Sequence, residues 1–200
     1  MSDFKISVII PCFNEEKTIE KLLTQVLSQD SLIHEIIIVD DKSTDNSREL
    51  IKNIANSNPK IKFFFKEKNE GKGSALIKGF EESTGEIVLI QDADLEYDPK
   101  EYYKLTKPII EGNAEVVYGS RFIGGDERRI LFFWHTIANK LLTFLSNMFS
   151  NLNLTDMETC YKVFKKEIIK KVDLKEKGFG FDPEVTAKVA KLKPKIYEVG

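Results

Sequence analysis

The residues with the clearest chemical potential form one short run, Gln91-Asp92-Ala93-Asp94-Leu95-Glu96, directly after the apolar segment Glu86-Ile87-Val88-Leu89-Ile90. An extended chain sends alternate side chains to one side, so Asp92 and Asp94 are expected to project together, with Glu96 joining them if the extension continues. Carboxylates crowded in this way must be solvated or neutralised. A divalent cation shared with phosphate oxygens is one neutraliser, because Mg²⁺ is commonly held by one or two carboxylates while phosphates and waters complete its shell. A solvated acidic loop is the plainer alternative, and an isolated Asp-x-Asp does not choose between them.

The elements that must position this run read as alternating strands and helices. Residues 5–10 form an apolar strand ending at Pro11, and Asn14 is placed to cap a helix beginning near Glu15 and Glu16. A second strand, 35–39, runs into Asp40-Asp41-Lys42-Ser43-Thr44-Asp45 and then a helix through Leu50, Ile51 and Ile54. Strand 60–65, the loop Asn69-Glu70-Gly71-Lys72-Gly73, a helix over 74–82 and strand 86–90 follow. Asp98-Pro99 opens a helix to about Glu111, and strand 115–118 comes next. Continuous apolar strands alternating with helices predict an α/β fold with a mainly parallel central sheet and helices on both faces. Ligands on such sheets bind beyond the carboxyl ends of the strands, where the acidic loops lie.

The 200 residues are expected to form a single domain, 1–200, with no internal repeat. A net charge of −2 supplies no basic field, which argues against nucleic acid as a partner. Cys12 and Cys160 match no metal-ligand spacing and suit reduced thiols of a cytoplasmic protein. There is no signal-peptide pattern. Residues 130–150 predict an amphipathic helix. Thr136, Lys140, Thr143, Asn147 and Ser150 make a polar stripe, with Trp134, Ile137, Leu141, Leu145 and Met148 opposite. Such a helix either covers the core or lies in a bilayer interface as a peripheral membrane contact. Beyond it come a short strand at 161–164, the glycine-rich Gly178-Phe179-Gly180-Phe181, a helix from about Pro183, and residues 195–200, which read as a strand cut off in mid-course.

Five strings occur in order at the predicted strand ends: Pro11-Cys12-Phe13-Asn14-Glu15-Glu16, Val39-Asp40-Asp41-x-Ser43-x-Asp45, Asn69-x-Gly71-Lys72-Gly73, Asp92-Ala93-Asp94 and Gly119-Ser120-Arg121. A sixth, Asp156-x-Glu158-Thr159-Cys160-Tyr161-Lys162, accompanies them. Together they resemble the family-2 inverting glycosyltransferases, most closely the dolichol-phosphate mannose and glucose synthase-like branch. The resemblance covers nearly the whole chain. It implies a GT-A (Rossmann-like) fold, a nucleotide-diphosphate sugar donor, a Mg²⁺ or Mn²⁺ ion and a polyprenyl-phosphate acceptor at a membrane surface, on its cytoplasmic face.

On that basis Pro11, Phe13, Asn14, Glu15, Asp40 and Asp41 are expected around the nucleoside, because carboxylates accept from base N–H groups and ribose hydroxyls. Capping and turn formation are the alternative roles for Asp40 and Asp41. Lys72 and Gly73 are expected near phosphate together with Asp92 and Ala93. Asp92, Asp94 and Glu96 are the expected metal ligands, although relatives commonly carry glutamine in place of Glu96, and glycine in place of Lys42. The catalytic set is Asp94, Arg121 and Asp156. Arg121, Arg128 and Arg129 are the candidates to hold an acceptor phosphate, with a solvated surface pair the alternative for the latter two. A lipid phosphate is already an anionic nucleophile, whereas a saccharide acceptor would need a general base from Asp156, Asp182 or Glu184. Gly71-Lys72-Gly73 also raises a dinucleotide-dependent dehydrogenase, but the first strand runs into Pro11-Cys12-Phe13-Asn14 and lacks the glycine fingerprint. A soluble transferase of surface polysaccharide synthesis and a non-catalytic sugar-nucleotide-binding protein are the other readings.

Overall fold

The computed structural model describes residues 4–124 and 132–200. Its elements follow the expected alternation: β1 (Ile6–Cys12), α1 (Ile19–Leu27), β2 (Ile33–Asp40), α2 (Ser47–Asn56), β3 (Ile61–Phe65), α3 (Lys72–Glu82), β4 (Ile87–Ile90), α4 (Tyr102–Ile110), β5 (Val116–Gly119), α5 (Phe133–Ser150), β6 (Lys162–Lys165), α6 (Lys166–Ile169), α7 (Phe181–Lys191) and β7 (Ile196–Val199). Among the described residues the strands form one sheet of order β3-β2-β1-β4-β6-β5-β7. Pairing is parallel except at β6, which runs antiparallel to both β4 and β5.

Period-two alternation explains why both faces are dry. On β1, Val8 and Ile10 pack with Leu22, Leu23 and Val26 of α1, whereas Ile9 packs on the other face with Leu76 and Phe80 of α3. On β4, Ile87 and Leu89 join the first core while Val88 and Ile90 join the second, with Val185 and Val189 of α7. The chain goes from β1 through β2 to β3 on one side and returns with β4 on the other, so the direction of winding reverses beside β1. Such a switch point opens a crevice at the carboxyl ends of the strands.

The opposite, amino-terminal edge is closed by Glu35, a buried carboxylate. Its oxygens accept from Ser7 Oγ (2.6 Å), Thr84 N (2.6 Å), Thr84 Oγ1 (2.8 Å) and Lys62 Nζ (2.6 Å), tying β1, β2, β3 and the α3–β4 turn together. Burial alone would raise its pKa, but the bonds from Lys62, Ser7 and Thr84 outweigh burial and bring it to about 2.

Several local expectations are corrected. Strand β1 runs on through Pro11 to Cys12. Ile9 O accepts from Gln91 N on the β4 side and Cys12 O from Asp41 N on the β2 side, so Pro11 faces β4 beyond the last pair, Ile9–Ile90, where no donor is required. Asn14 does not cap α1, which starts at Ile19. It adopts φ 56°, donates its N–H to Ser43 Oγ (2.8 Å) and accepts from Thr44 N (2.8 Å). Helix α3 starts at Lys72, two residues before the expected Ser74.

For α5 the structure sets aside one of the two expected placements. Three of its polar residues face inward: Asn139 and Thr143 are buried, and Asn147 bonds both Leu154 N (3.0 Å) and Leu154 O (2.8 Å), while Lys140 is exposed. Trp134 (74% exposed), Leu141, Phe144, Met148 and Phe149 (83% exposed) face outward. The apolar stripe therefore does not cover the core, because the segment beneath the helix offers hydrogen-bonding groups rather than apolar surface. No helix among the described residues is long and apolar enough to cross a membrane.

Candidate active site

The crevice beside β1 is a cleft of about 490 Å³ lined by Pro11, Cys12, Phe13 and Glu15 from the end of β1, Asp41 from the end of β2, and Asp92, Ala93 and Asp94 from the end of β4. Asn69, Gly71, Lys72 and Ala75 add the start of α3, and Gly178 and Phe179 add the loop before α7. Gln91 fixes where the β4 turn begins. It is fully buried, its Oε1 accepts from the hydroxyls of Tyr102 and Tyr161 (both 2.9 Å), and its Nε2 donates to Asp92 O (3.1 Å).

Asp92 and Asp94 both reach the cleft, but so does Ala93 between them, because the chain leaves the strand at Ile90 and bends from Ala93 onward. Asp92 pairs with Lys72 Nζ at 2.6 Å. Burial would lower the Lys72 pKa, but Cys160, Asp92 and Asp182 around it raise it above its ordinary value. Asp94 has a raised pKa because it is half-buried and because Asp92, Glu96 and Glu15 repel its charge. Asp94 Oδ1 accepts from Glu96 N (2.9 Å), and the turn leaves Glu96 exposed and outside the cleft lining. Among the described residues no three His, Cys, Asp or Glu side chains gather into a cluster able to hold a metal. The expected three-carboxylate set Asp92, Asp94 and Glu96 is thus not preformed. The donor set still fits a cation shared with a ligand, since two carboxylates meet at the cleft with their charge only partly compensated.

The two acids after β2 divide their work. Asp40 is buried, accepts from Ser43 N (3.1 Å) and pairs with Arg48, so it closes its own loop and does not line the cleft. Asp41 does line it, yet its oxygens are engaged by Lys66 Nζ (2.6 Å), Gly71 N (2.6 Å) and Glu70 N (3.1 Å). Asp41 is thereby the anchor of the 69–71 loop. The glycines of that loop answer to a close backbone approach. A Cβ on Gly73 would stand 2.3 Å from Glu176 O, and one on Gly71, at φ 98°, 2.5 Å from Lys177 O. Gly73 and Asn14, both expected at the donor, are absent from the cleft lining, and the Gly71 N–H is given to Asp41. Burial, then Asp40, Glu15 and Asp45, push the Cys12 thiol up to about 12, leaving it a packing residue.

Arg121 stands at the end of β5 and meets Asp156. Its Nε donates to Asp156 Oδ2 (2.7 Å), its Nη2 to Oδ1 (2.8 Å) and its backbone N–H to Oδ2 (3.1 Å). Asn139 of α5 donates to Oδ1 (3.1 Å). Hydrogen bonding to Asp156 holds the guanidinium pKa above its ordinary value. Asp156 is fully buried, and its segment is held from below by Glu198 of β7, which accepts from Thr155 N (2.9 Å), Thr155 Oγ1 (3.0 Å) and Asp156 N (3.0 Å). The other two candidate bases are engaged as well: Asp182 with the fully buried Lys162, and Glu184 with Lys175 N, Glu176 N and Lys188. Arg128 and Arg129 lie outside the described residues. Sequence reading gave no role to Gln91, Glu198 or the cleft-lining pair Gly178 and Phe179; the glycine-rich string was the only local signal for the last two.

The glycosyl transferase family 2 model matches residues 7–173. The chain is 29% identical to a dolichol-phosphate mannosyltransferase of Pyrococcus furiosus over 92% of its own length, and it spans about half (53%) of that relative. It is 26% identical to an undecaprenyl-phosphate mannosyltransferase of Micrococcus luteus, covering 98% of this chain and 82% of that one. In fold it is similar to glucosyl-3-phosphoglycerate synthase from Mycobacterium tuberculosis, solved with Mn²⁺, UDP and phosphoglyceric acid. The TM-score is 0.77 and the identity 21%, over 98% of this chain and 68% of that one. With the strand order, the acidic cleft and these relatives in agreement, the chain has a GT-A fold and belongs to glycosyl transferase family 2.

Proposed function

We propose that the chain transfers a hexose, glucose or mannose, from a UDP- or GDP-sugar to a polyprenyl phosphate, with inversion at the anomeric carbon. The observation that carries this reading is the cleft itself: two incompletely neutralised carboxylates, Asp92 and Asp94, beside the Lys72 ammonium at the strand ends. Asp92 and Asp94 would hold a Mg²⁺ or Mn²⁺ ion, which supplies Lewis-acid neutralisation of the donor diphosphate. Lys72 adds a positive charge at the same place. Pro11, Phe13 and Glu15 form the wall available to the nucleoside. Arg121, fixed in orientation by both oxygens of Asp156, is suited to receive an acceptor phosphate by charge-assisted bonds.

The surroundings of the candidate bases support one acceptor class. Asp156, Asp182 and Glu184 are each engaged in internal ion pairs or hydrogen bonds, which supports an acceptor that needs no deprotonation. A polyprenyl phosphate meets that condition. The outward apolar face of α5 supports contact with a membrane surface, at its cytoplasmic face, where such a lipid resides. One observation favours a saccharide hydroxyl instead: the half-buried Glu158 carboxyl, close to Arg121 and Asp182, is raised above its ordinary value by burial and by Asp182.

The reading is tested with UDP- and GDP-sugars, Mn²⁺, and either polyprenyl phosphate or oligosaccharide acceptors. Transfer to the lipid phosphate, abolished by Asp94→Asn with an unchanged unfolding midpoint, is the expected result. Undiminished turnover of that variant would reject the metal role. Transfer to saccharide alone would reject the lipid acceptor.

A further inference from the structure

The loop before α7 contributes a residue to the cleft that no motif assigns. Phe179 is 90% exposed although it lines the same cleft as Phe13, itself 45% exposed. Burying a phenylalanine side chain stabilises a fold, and that gain is forgone here. Slackness of the loop does not account for it. Lys177 O accepts from Ser74 N (3.0 Å), Lys177 Nζ pairs with Glu70 (2.6 Å), and the N–H groups of Lys175 and Glu176 bond to Glu184 (3.0 and 2.9 Å). On the other side Phe181 is 1% exposed and stacks on Phe80 with ring centroids 6.1 Å apart. Phe179 is therefore displayed between two fixed points, and Gly178 beside it has open space where a side chain would sit.

We propose that Phe179 is a binding residue of the donor cleft that stacks on the planar base of a nucleoside diphosphate; this rests on the donor-cleft reading above. The chemistry of the remaining lining favours a base over the other parts of the donor. Carboxylates and Lys72 serve charged and hydroxyl groups, whereas an aromatic ring with no hydrogen-bonding atom serves a π face. The backbone of Lys177 and Gly178 lies against Gly71, whose N–H is bonded to Asp41, so the loop stands on the side of the cleft formed by Asp41 and Asn69. A ring without donors or acceptors is indifferent to which base it covers, so UDP and GDP should depend on it equally.

The test is calorimetric titration of the whole chain with Mn²⁺ and UDP, GDP or inorganic pyrophosphate. Phe179→Ala should weaken binding of whichever nucleotide binds the parent by about tenfold, the scale of base–aromatic stacking, while Phe179→Trp retains it and pyrophosphate affinity is unchanged in both. Parental nucleotide affinity in Phe179→Ala would overturn the stacking role and leave the donor cleft standing. Equal weakening of nucleotide and pyrophosphate would also overturn it, since the residue would then act through the loop. A parent chain that binds neither nucleotide would overturn the donor-cleft reading and this inference together.

Discussion

Asp156→Asn separates a clamp from a catalytic base. The side chain is fully buried and takes four donors: Arg121 N, Nε and Nη2, and Asn139 Nδ2. Asparagine fills the same volume but keeps one acceptor oxygen and turns an NH₂ group toward a guanidinium. Removing one partner of a buried ion pair typically costs about 3–5 kcal/mol. The Arg121 side chain is 28% exposed and regains some hydration when released, which brings the expected loss down to roughly 2–4 kcal/mol. Urea unfolding should show a lower midpoint at unchanged slope. With an active preparation, the variant should raise KM for the acceptor phosphate more than it lowers kcat, because Arg121 loses its orientation. Glu198→Gln, two steps removed, should move the same two quantities in the same direction and by less. A stability loss under about 0.5 kcal/mol, together with a kcat collapse at constant KM, would refute the clamp and restore Asp156 as a base.

Two further substitutions probe the frame around the cleft. The folded pKa of Glu35, about 2, lies below its ordinary value of 4.5, so its contribution is fully present above about pH 4.5 and is lost as pH falls toward 2. That gap corresponds to at most about 3 kcal/mol, lessened by the half exposure of Lys62. Acid unfolding followed by circular dichroism should therefore be less steep in Glu35→Gln over that window, and parallel curves would refute the assignment. Gly73→Ala should destabilise by about 1–3 kcal/mol, because its Cβ would stand 2.3 Å from Glu176 O. Alanine is otherwise the better helix former by about 1 kcal/mol, so an unchanged or raised melting temperature would contradict the contact.

Strand ends were legible because an apolar run followed by acids marks the carboxyl edge of a parallel sheet whatever the partners are. The division of labour among those acids was not. Asp40 and Asp41 are neighbours of one residue type, and their fates are decided by Arg48, Lys66 and Gly71, the last 30 residues away from Asp41. The same holds for Asp156, whose ion pair with Arg121 spans 35 residues. Helix α5 illustrates the limit in another way. Its 3.6-residue period was readable, but a period gives two faces and does not say which is inside. The segment from Leu154 to Met157 decides that, by offering backbone groups and a carboxylate to Asn139, Thr143 and Asn147. A helix seated on hydrogen bonds rather than apolar contact is held by directional groups, and one of those groups, Asp156, also holds Arg121. The inward, polar face of α5 and the Arg121 guanidinium thus meet at one carboxylate, Asp156, which accepts from Asn139 and from Arg121.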